Sequence, residues 1–137
     1  MKKNSNQEIT VFHASNPPSI TIKQYLERIV KYANITPELL TLSLIYLERL
    51  LKCNTKLVLS SLSVHRCIIT AVVIASKYAS DVFYNNTIYA RIGGLPVLEL
   101  NSLEVEFLHQ LKYHLYVSTD LYSYYEDQVT KRVIMMS

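Results

Sequence analysis

Four histidines, two cysteines and scattered carboxylates are the side chains through which this 137-residue chain could do chemistry, and their spacing denies most of it. His13, His65, His109 and His114 include no pair at the i,i+3 or i,i+4 spacing that sets two imidazoles on one helix face. The triplet His65-Arg66-Cys67 stands by itself, so no metal ligand set forms. Glu104 and Glu106 lie two apart, and on a helix such side chains diverge by about 200°, too far to serve one substrate as acid and base. The only glycines, Gly93 and Gly94, are adjacent, whereas a phosphate-cradling loop needs several to bring backbone N–H groups up to the anion. Cys53 and Cys67 form neither a CxxC pair nor a disulfide framework and read as reduced thiols. No catalytic residue, cofactor or metal is expected.

Eleven tyrosines without a tryptophan offer one other chemistry, stacking on single-stranded nucleic acid. Most of them fall on helical stripes, which is the pattern of core and rim positions. A net charge of +3 is too mild to require a nucleic acid or a membrane. The charge is uneven, with eleven basic and five acidic residues through Arg91 and three basic and six acidic after it, a polarity that suits steering onto a charged partner. Half of the residues are hydrophobic, enough for the core of one domain. The N-terminal MKKNSNQEIT lacks the apolar segment of a signal peptide, and the stretch from Cys67 to Ala75 falls short of the roughly 18 residues of a membrane span. An intracellular protein, nuclear or cytoplasmic, is expected.

The elements that must position any site are helical. Residues 1–18 form a polar arm ending in Asn16-Pro17-Pro18. Thr21 and Gln24 are spaced as a capping box, Ile20 can staple onto Tyr25, and Ile22, Tyr25, Leu26, Ile29 and Ala33 make one apolar face. Thr36-Pro37-Glu38 starts a second helix whose stripe Leu40, Leu44, Leu47 and Leu51, with Tyr46 and Leu50 elsewhere, reads as a central, largely surrounded element. Ser60, Ser61 and Ser63 offer caps for a third helix from Val64 to about Ala79. Its β-branched run suits a buried strand as well, but its length, the lack of internal Gly or Pro, the Ala71/Ala75 spacing and the absence of a partner strand favour helix. A short helix over Thr87–Ile92 is expected to end at Gly93 in the left-handed conformation. Leu100, Leu103, Phe107 and Leu111, widened by Leu108 and Leu115, predict a long fifth helix, and the segment after Ser118 is helical in part.

In this order and spacing, several strings resemble the cyclin box. Leu44-Ile45-Tyr46-Leu47-Glu48-Arg49 resembles the family's aromatic-aliphatic-acid-arginine string, and Val64-His65-Arg66 followed by Ile74-Ala75-Ser76-Lys77-Tyr78 resembles its third helix. Phe83-Tyr84-Asn85-Asn86, Tyr89-Ala90-Arg91-Ile92-Gly93-Gly94 and Glu99-Leu100-Asn101-Ser102-Leu103-Glu104 narrow the likeness to the single-box P/U-type, or phosphate-pathway, cyclins. The resemblance implies an all-α, five-helix bundle over 19–127 with a central, largely buried helix, followed by a tail over 128–137. It implies no second box, and the first helix lacks the substrate-docking motif of larger cyclins.

The implied function is regulatory: such proteins bind a cyclin-dependent serine/threonine kinase one to one, and their third and fifth helices pack on its mobile regulatory helix. The resemblance sets Lys77 and Glu104 at kinase-contacting positions, and Tyr78, Leu108 and Tyr113 where apolar surface meets the kinase. Lys77 and Glu104 are charges on otherwise apolar helix segments, suited to hydrogen-bonding a partner helix. Asp81 falls where P-type cyclins carry acids after the third helix, suited to pairing with a kinase arginine. The free protein is expected to be monomeric or weakly self-associating, since an exposed apolar patch attracts its own kind. The rival readings are a helical adaptor for a non-kinase partner and a nucleic-acid-associated transcription factor of cyclin fold.

Overall fold

A computed structural model describes residues 21–53 and 64–136, which contain six helices and no strand. They are α1 (Ile22–Tyr32), α2 (Pro37–Cys53), α3 (Val64–Ala79), α4 (Asn86–Gly93), α5 (Val97–Gln110) and α6 (Thr119–Met136). The arm, the Ile20 staple and the Ser60, Ser61 and Ser63 caps lie outside the described residues. Among those described, no helix is long and apolar enough to cross a membrane, and no group of His, Cys, Asp and Glu could hold a metal ion.

Helix starts follow the local chemistry. Thr21 Oγ1 accepts from Gln24 N at 3.1 Å while Gln24 Oε1 accepts from Thr21 N at 3.0 Å, a reciprocal capping box that satisfies two otherwise orphaned donors. Thr36 Oγ1 takes Leu39 N at 3.2 Å at the head of α2, and Asn85 Oδ1 takes Ile88 N at 3.0 Å at the head of α4. The β-branched run of α3 is helical, because with no strand to pair with among the described residues, only a helix satisfies its backbone groups internally.

The central element is α3 rather than α2. Eleven of its sixteen residues are buried, and it packs on α1, α2, α4 and α5. In α2 the expected stripe of Leu40, Leu44, Leu47 and Leu51 is only half-buried, and Leu42, Ile45, Tyr46 and Leu50 make the buried face. The stripe was misleading because α2 lies between two unequal neighbours, with α3 against one side and α6 against the other. Leu44, Leu47 and Leu51 line a partly open crevice under Tyr124 and Tyr125 of α6.

The two glycines have different duties from those expected. Gly93 is the last residue of α4, and Gly94, at φ 74°, is the left-handed cap. Its N–H and that of Leu95 close onto the α4 carbonyls, Leu95 N reaching Ala90 O at 3.0 Å. Gly93 is needed for space: a methyl there would lie 2.8 Å from Ile69 Cγ1, 2.9 Å from Leu95 Cδ2 and 3.0 Å from Tyr25 Oη. Tyr25 Oη also donates to Gly93 O at 2.7 Å, and its ring meets His65 edge-on with centroids 4.5 Å apart. Arg28 donates to Arg91 O at 3.1 Å, so α1 closes the end of α4 at two carbonyls.

These geometries order two substitutions. Gly93→Ala should cost about 1–3 kcal/mol through overpacking. Gly94→Ala, with open space around it but a left-handed backbone, should cost about 1 kcal/mol. Urea unfolding of both variants checks the order, and a more damaging Gly94→Ala would refute the assignment of the two roles.

Candidate functional site

The seam between α3 and α5 gathers the charges that α3 carries. Along α3 the only full cations are Arg66 and Lys77, eleven residues or about three turns apart, so both emerge on one face. Arg66 grips Glu99 through Nε and Nη2, each at 3.0 Å from a carboxylate oxygen. Lys77 Nζ lies 3.0 and 3.1 Å from the two oxygens of Glu104. Asn86, the first residue of α4, donates from Nδ2 to Glu104 Oε1 at 2.9 Å and to Asn101 Oδ1 at 2.7 Å. Three helices therefore meet at Glu104.

The Lys77–Glu104 pair is neither buried nor free. The Lys77 side chain is 32% exposed and that of Glu104 16%. An ion pair so close to water contributes about 1 kcal/mol or less to folding, so stability does not require it. Its consequence is geometric, because a donor and an acceptor of opposite charge are held side by side at a reachable surface. Val105 and Leu98 on α5, and Val82 and Phe83 beyond α3, are large apolar side chains left exposed.

Beside this pair lies a groove of about 700 Å³ lined by Tyr78, Leu111, Tyr113, Leu115 and Tyr116, with Arg49, Lys52 and His114 at its polar edge. Its far wall is not helical. α5 stops at Gln110, and Lys112 and Tyr113 turn the chain at φ 53° and 61°, a conformation uncommon outside glycine. The expected continuation to Leu115 fails for a visible reason: the carbonyls that follow are drawn to α2. Tyr46 Oη donates to Leu115 O at 2.7 Å, and Arg49 donates to His114 O at 3.0 Å and Tyr116 O at 2.9 Å. A tyrosine and an arginine one turn apart on α2 thus hang the α5–α6 connection, carrying Tyr113 and Tyr116 with it. Burial, reinforced by nearby Tyr78 and opposed by Arg49, drives the Tyr46 phenol well above its ordinary range.

The structure joins Lys77 to Glu104 and Tyr78 to Tyr113, the latter two 52% and 63% exposed. Leu108, one turn beyond Glu104, is half-buried against the core. Asp81 is exposed just past α3, apart from the ion pair. The sequence reading missed Arg66, Glu99, Asn86, Arg49 and Tyr116. The eleven-residue spacing of Arg66 and Lys77 was the available signal for a charged edge on α3; nothing in the sequence announced Asn86, which was read as loop. Cys67 has no part in this surface: it is buried in α3, and burial pushes its thiol up to about 12.

Comparison with known proteins gives a consistent set. Residues 1–115 match the protein-family model described as Cyclin. The chain is 38% identical over 131 residues to Cyclin-U4-1 of Arabidopsis thaliana, covering 96% of this chain and 65% of that protein. It is 41% identical over 127 residues to Cyclin-P3-1 of Oryza sativa subsp. japonica, covering 93% and 53%. It is 38% identical over 131 residues to the Nuc-1 negative regulatory protein preg of Neurospora crassa, covering 95% and 27%. The chain thus spans from about a quarter to about two thirds of the length of these relatives.

Removal of the Tyr46 hydroxyl tests the suspended connection. Tyr46→Phe should lose about 1–2 kcal/mol at pH 7, since Leu115 O is left without its donor. A phenol whose folded pKa is raised favours the folded state fully below the unfolded value near 10 and less as pH climbs above it. The variant should therefore lose less stability than the parent between pH 9 and about 11. Chemical denaturation across that range reads both effects, and parallel pH profiles would contradict the burial of a neutral phenol.

Proposed function

Because this chain belongs to the cyclin family, we propose that it is the regulatory subunit of a cyclin-dependent serine/threonine kinase, which it binds one to one and activates. The observation that carries this reading is the Lys77–Glu104 pair standing half-open at the α3–α5 seam, flanked by the groove between Tyr78 and Tyr113. A kinase's mobile regulatory helix brings what suits that surface: backbone groups at its terminus for the charge pair and aliphatic side chains for the groove. An aliphatic side chain entering the groove gains roughly 1.5–3 kcal/mol from burial. Lys77 and Glu104 then exchange part of their mutual contact for backbone groups of the docked helix. Fixing that helix sets its glutamate against the catalytic lysine and frees the activation segment, so the kinase does the chemistry and this chain supplies binding energy.

Asp81, exposed four residues past Lys77, fits pairing with a kinase arginine near the activation segment, in partial replacement of an activating phosphate. A regulatory role is also what the Neurospora relative's name describes for that protein. An intracellular setting follows from the kinase partner. An adaptor role for a different partner needs only a generic groove and leaves the charge pair no part beyond setting the register of α5 on α3.

Two experiments separate these readings. Lys77→Glu and Glu104→Lys should each abolish capture of the kinase, and their combination should restore folding stability without restoring capture or activation. Recovery of activation in the double variant would reduce the pair to a structural link. Asp81→Ala should lower activation of the unphosphorylated kinase while leaving the phosphorylated one nearly unaffected; activation of the unphosphorylated kinase equal to that by the parent chain would remove Asp81 from the mechanism.

A further inference from the structure

A second groove, of about 580 Å³, opens on the other side of Tyr78 and Tyr116, between the head of α2, the end of α3 and the α5–α6 connection. Its apolar walls are Leu39, Leu42 and Val117, with the rings of Tyr78, Tyr116 and Tyr122. The hydroxyl side chains of Thr36 and Thr119 stand among them. Among the described residues, Glu38 is the one charged side chain in the lining, and it is an exposed carboxylate. Asp120, the exposed neighbour of Thr119, and Glu126, close enough to Tyr122 to act on its phenol, add negative charge on the same side. The first groove is edged instead by Arg49, Lys52 and His114, so the two differ in the charge at their rims.

We propose that this second groove binds an extended, proline-containing peptide segment flanked by lysine or arginine. Three features select that occupant. Tyrosine walls suit the flat faces and fixed φ of proline in a polyproline II segment, the mode in which aromatic grooves read such peptides. An extended segment leaves its backbone N–H and C=O groups unpaired, and phenols and threonine hydroxyls supply partners that a docked helix would not need. Glu38 at the rim pairs with a cation on the peptide and discriminates against an acidic one. The inference stands on the groove's walls and charge and does not depend on a kinase occupying the neighbouring surface.

The probe is a fluorescein-labelled KRPLPPLPKR peptide titrated into the full chain by anisotropy, with EEPLPPLPEE and the helix-forming KRALAALAKR as comparisons. The basic proline peptide should bind saturably, and both comparisons should bind at least about tenfold more weakly, the acidic one for loss of a charge-assisted contact. Glu38→Lys should weaken the basic peptide by a similar factor, and Thr119→Trp, an exposed position whose enlargement fills the groove, should abolish binding. Unchanged melting curves of both variants exclude unfolding as the cause. The proposal is overturned by no saturation below about 1 mM, by equal affinity for the acidic peptide, or by indifference to both substitutions. It is also overturned if the chain dimerises and Thr119→Trp dissolves the dimer, or if removing residues 1–20 is what permits peptide binding, because a second copy or the chain's own arm would then be the occupant.

Discussion

Burial of α3 is the constraint from which the remainder of the structure follows. A helix that packs on four neighbours can carry full charge only along the edge where its long side chains reach past them, and on α3 that edge faces α5. Arg66 and Lys77 occupy it three turns apart, and α5 answers with Glu99 and Glu104. Neither pair is deep enough to contribute much to folding, so what they define is register: which residues of α5 stand opposite which residues of α3. The apolar core supplies the stability, and the ion pairs specify the surface that this stability holds in place.

The second determinant is a backbone problem and its solution. Where α5 ends, the carbonyls of His114, Leu115 and Tyr116 need donors, and Tyr46 and Arg49 supply them from α2. The connection is thereby fixed as an irregular wall with Tyr113 and Tyr116 on it. Two grooves result on either side of Tyr78 and Tyr116, one basic at its edge and one acidic. The motif string around Tyr46 and Arg49 is thus explained by architecture, since neither residue need touch a partner to determine the shape a partner meets.

Much of this was legible in the sequence, and the failures share a cause. Capping at Thr21 and Thr36 and the periodicity of the apolar residues located the helices, because those signals are local, whereas the Asn85 cap of α4 lay in a stretch read as loop. Lys77 and Glu104 were singled out through a family resemblance, and their contact with each other was not foreseen. Periodicity gave α2 the central place that belongs to α3, since an apolar stripe does not reveal how well its neighbour covers it. It also ran α5 on to Leu115, because an apolar residue at the right spacing looks the same on a helix as on a strap held by another helix. The exchange of roles between Gly93 and Gly94 likewise turns on Ile69 and Tyr25, residues more than twenty positions away. Contacts between distant residues decided each of these points.

The central claim is that the α3–α5 seam and its adjoining groove are the surface a kinase covers. Hydrogen exchange of this chain, alone and bound to the kinase that co-purifies with it from its native cell, reads that surface directly. The expected result is slowed exchange at the end of α3, along α5 and in the 111–117 connection, with α1 and α6 little changed. Slowed exchange confined to α1 or α6, with the seam exchanging as in the free chain, would contradict the claim.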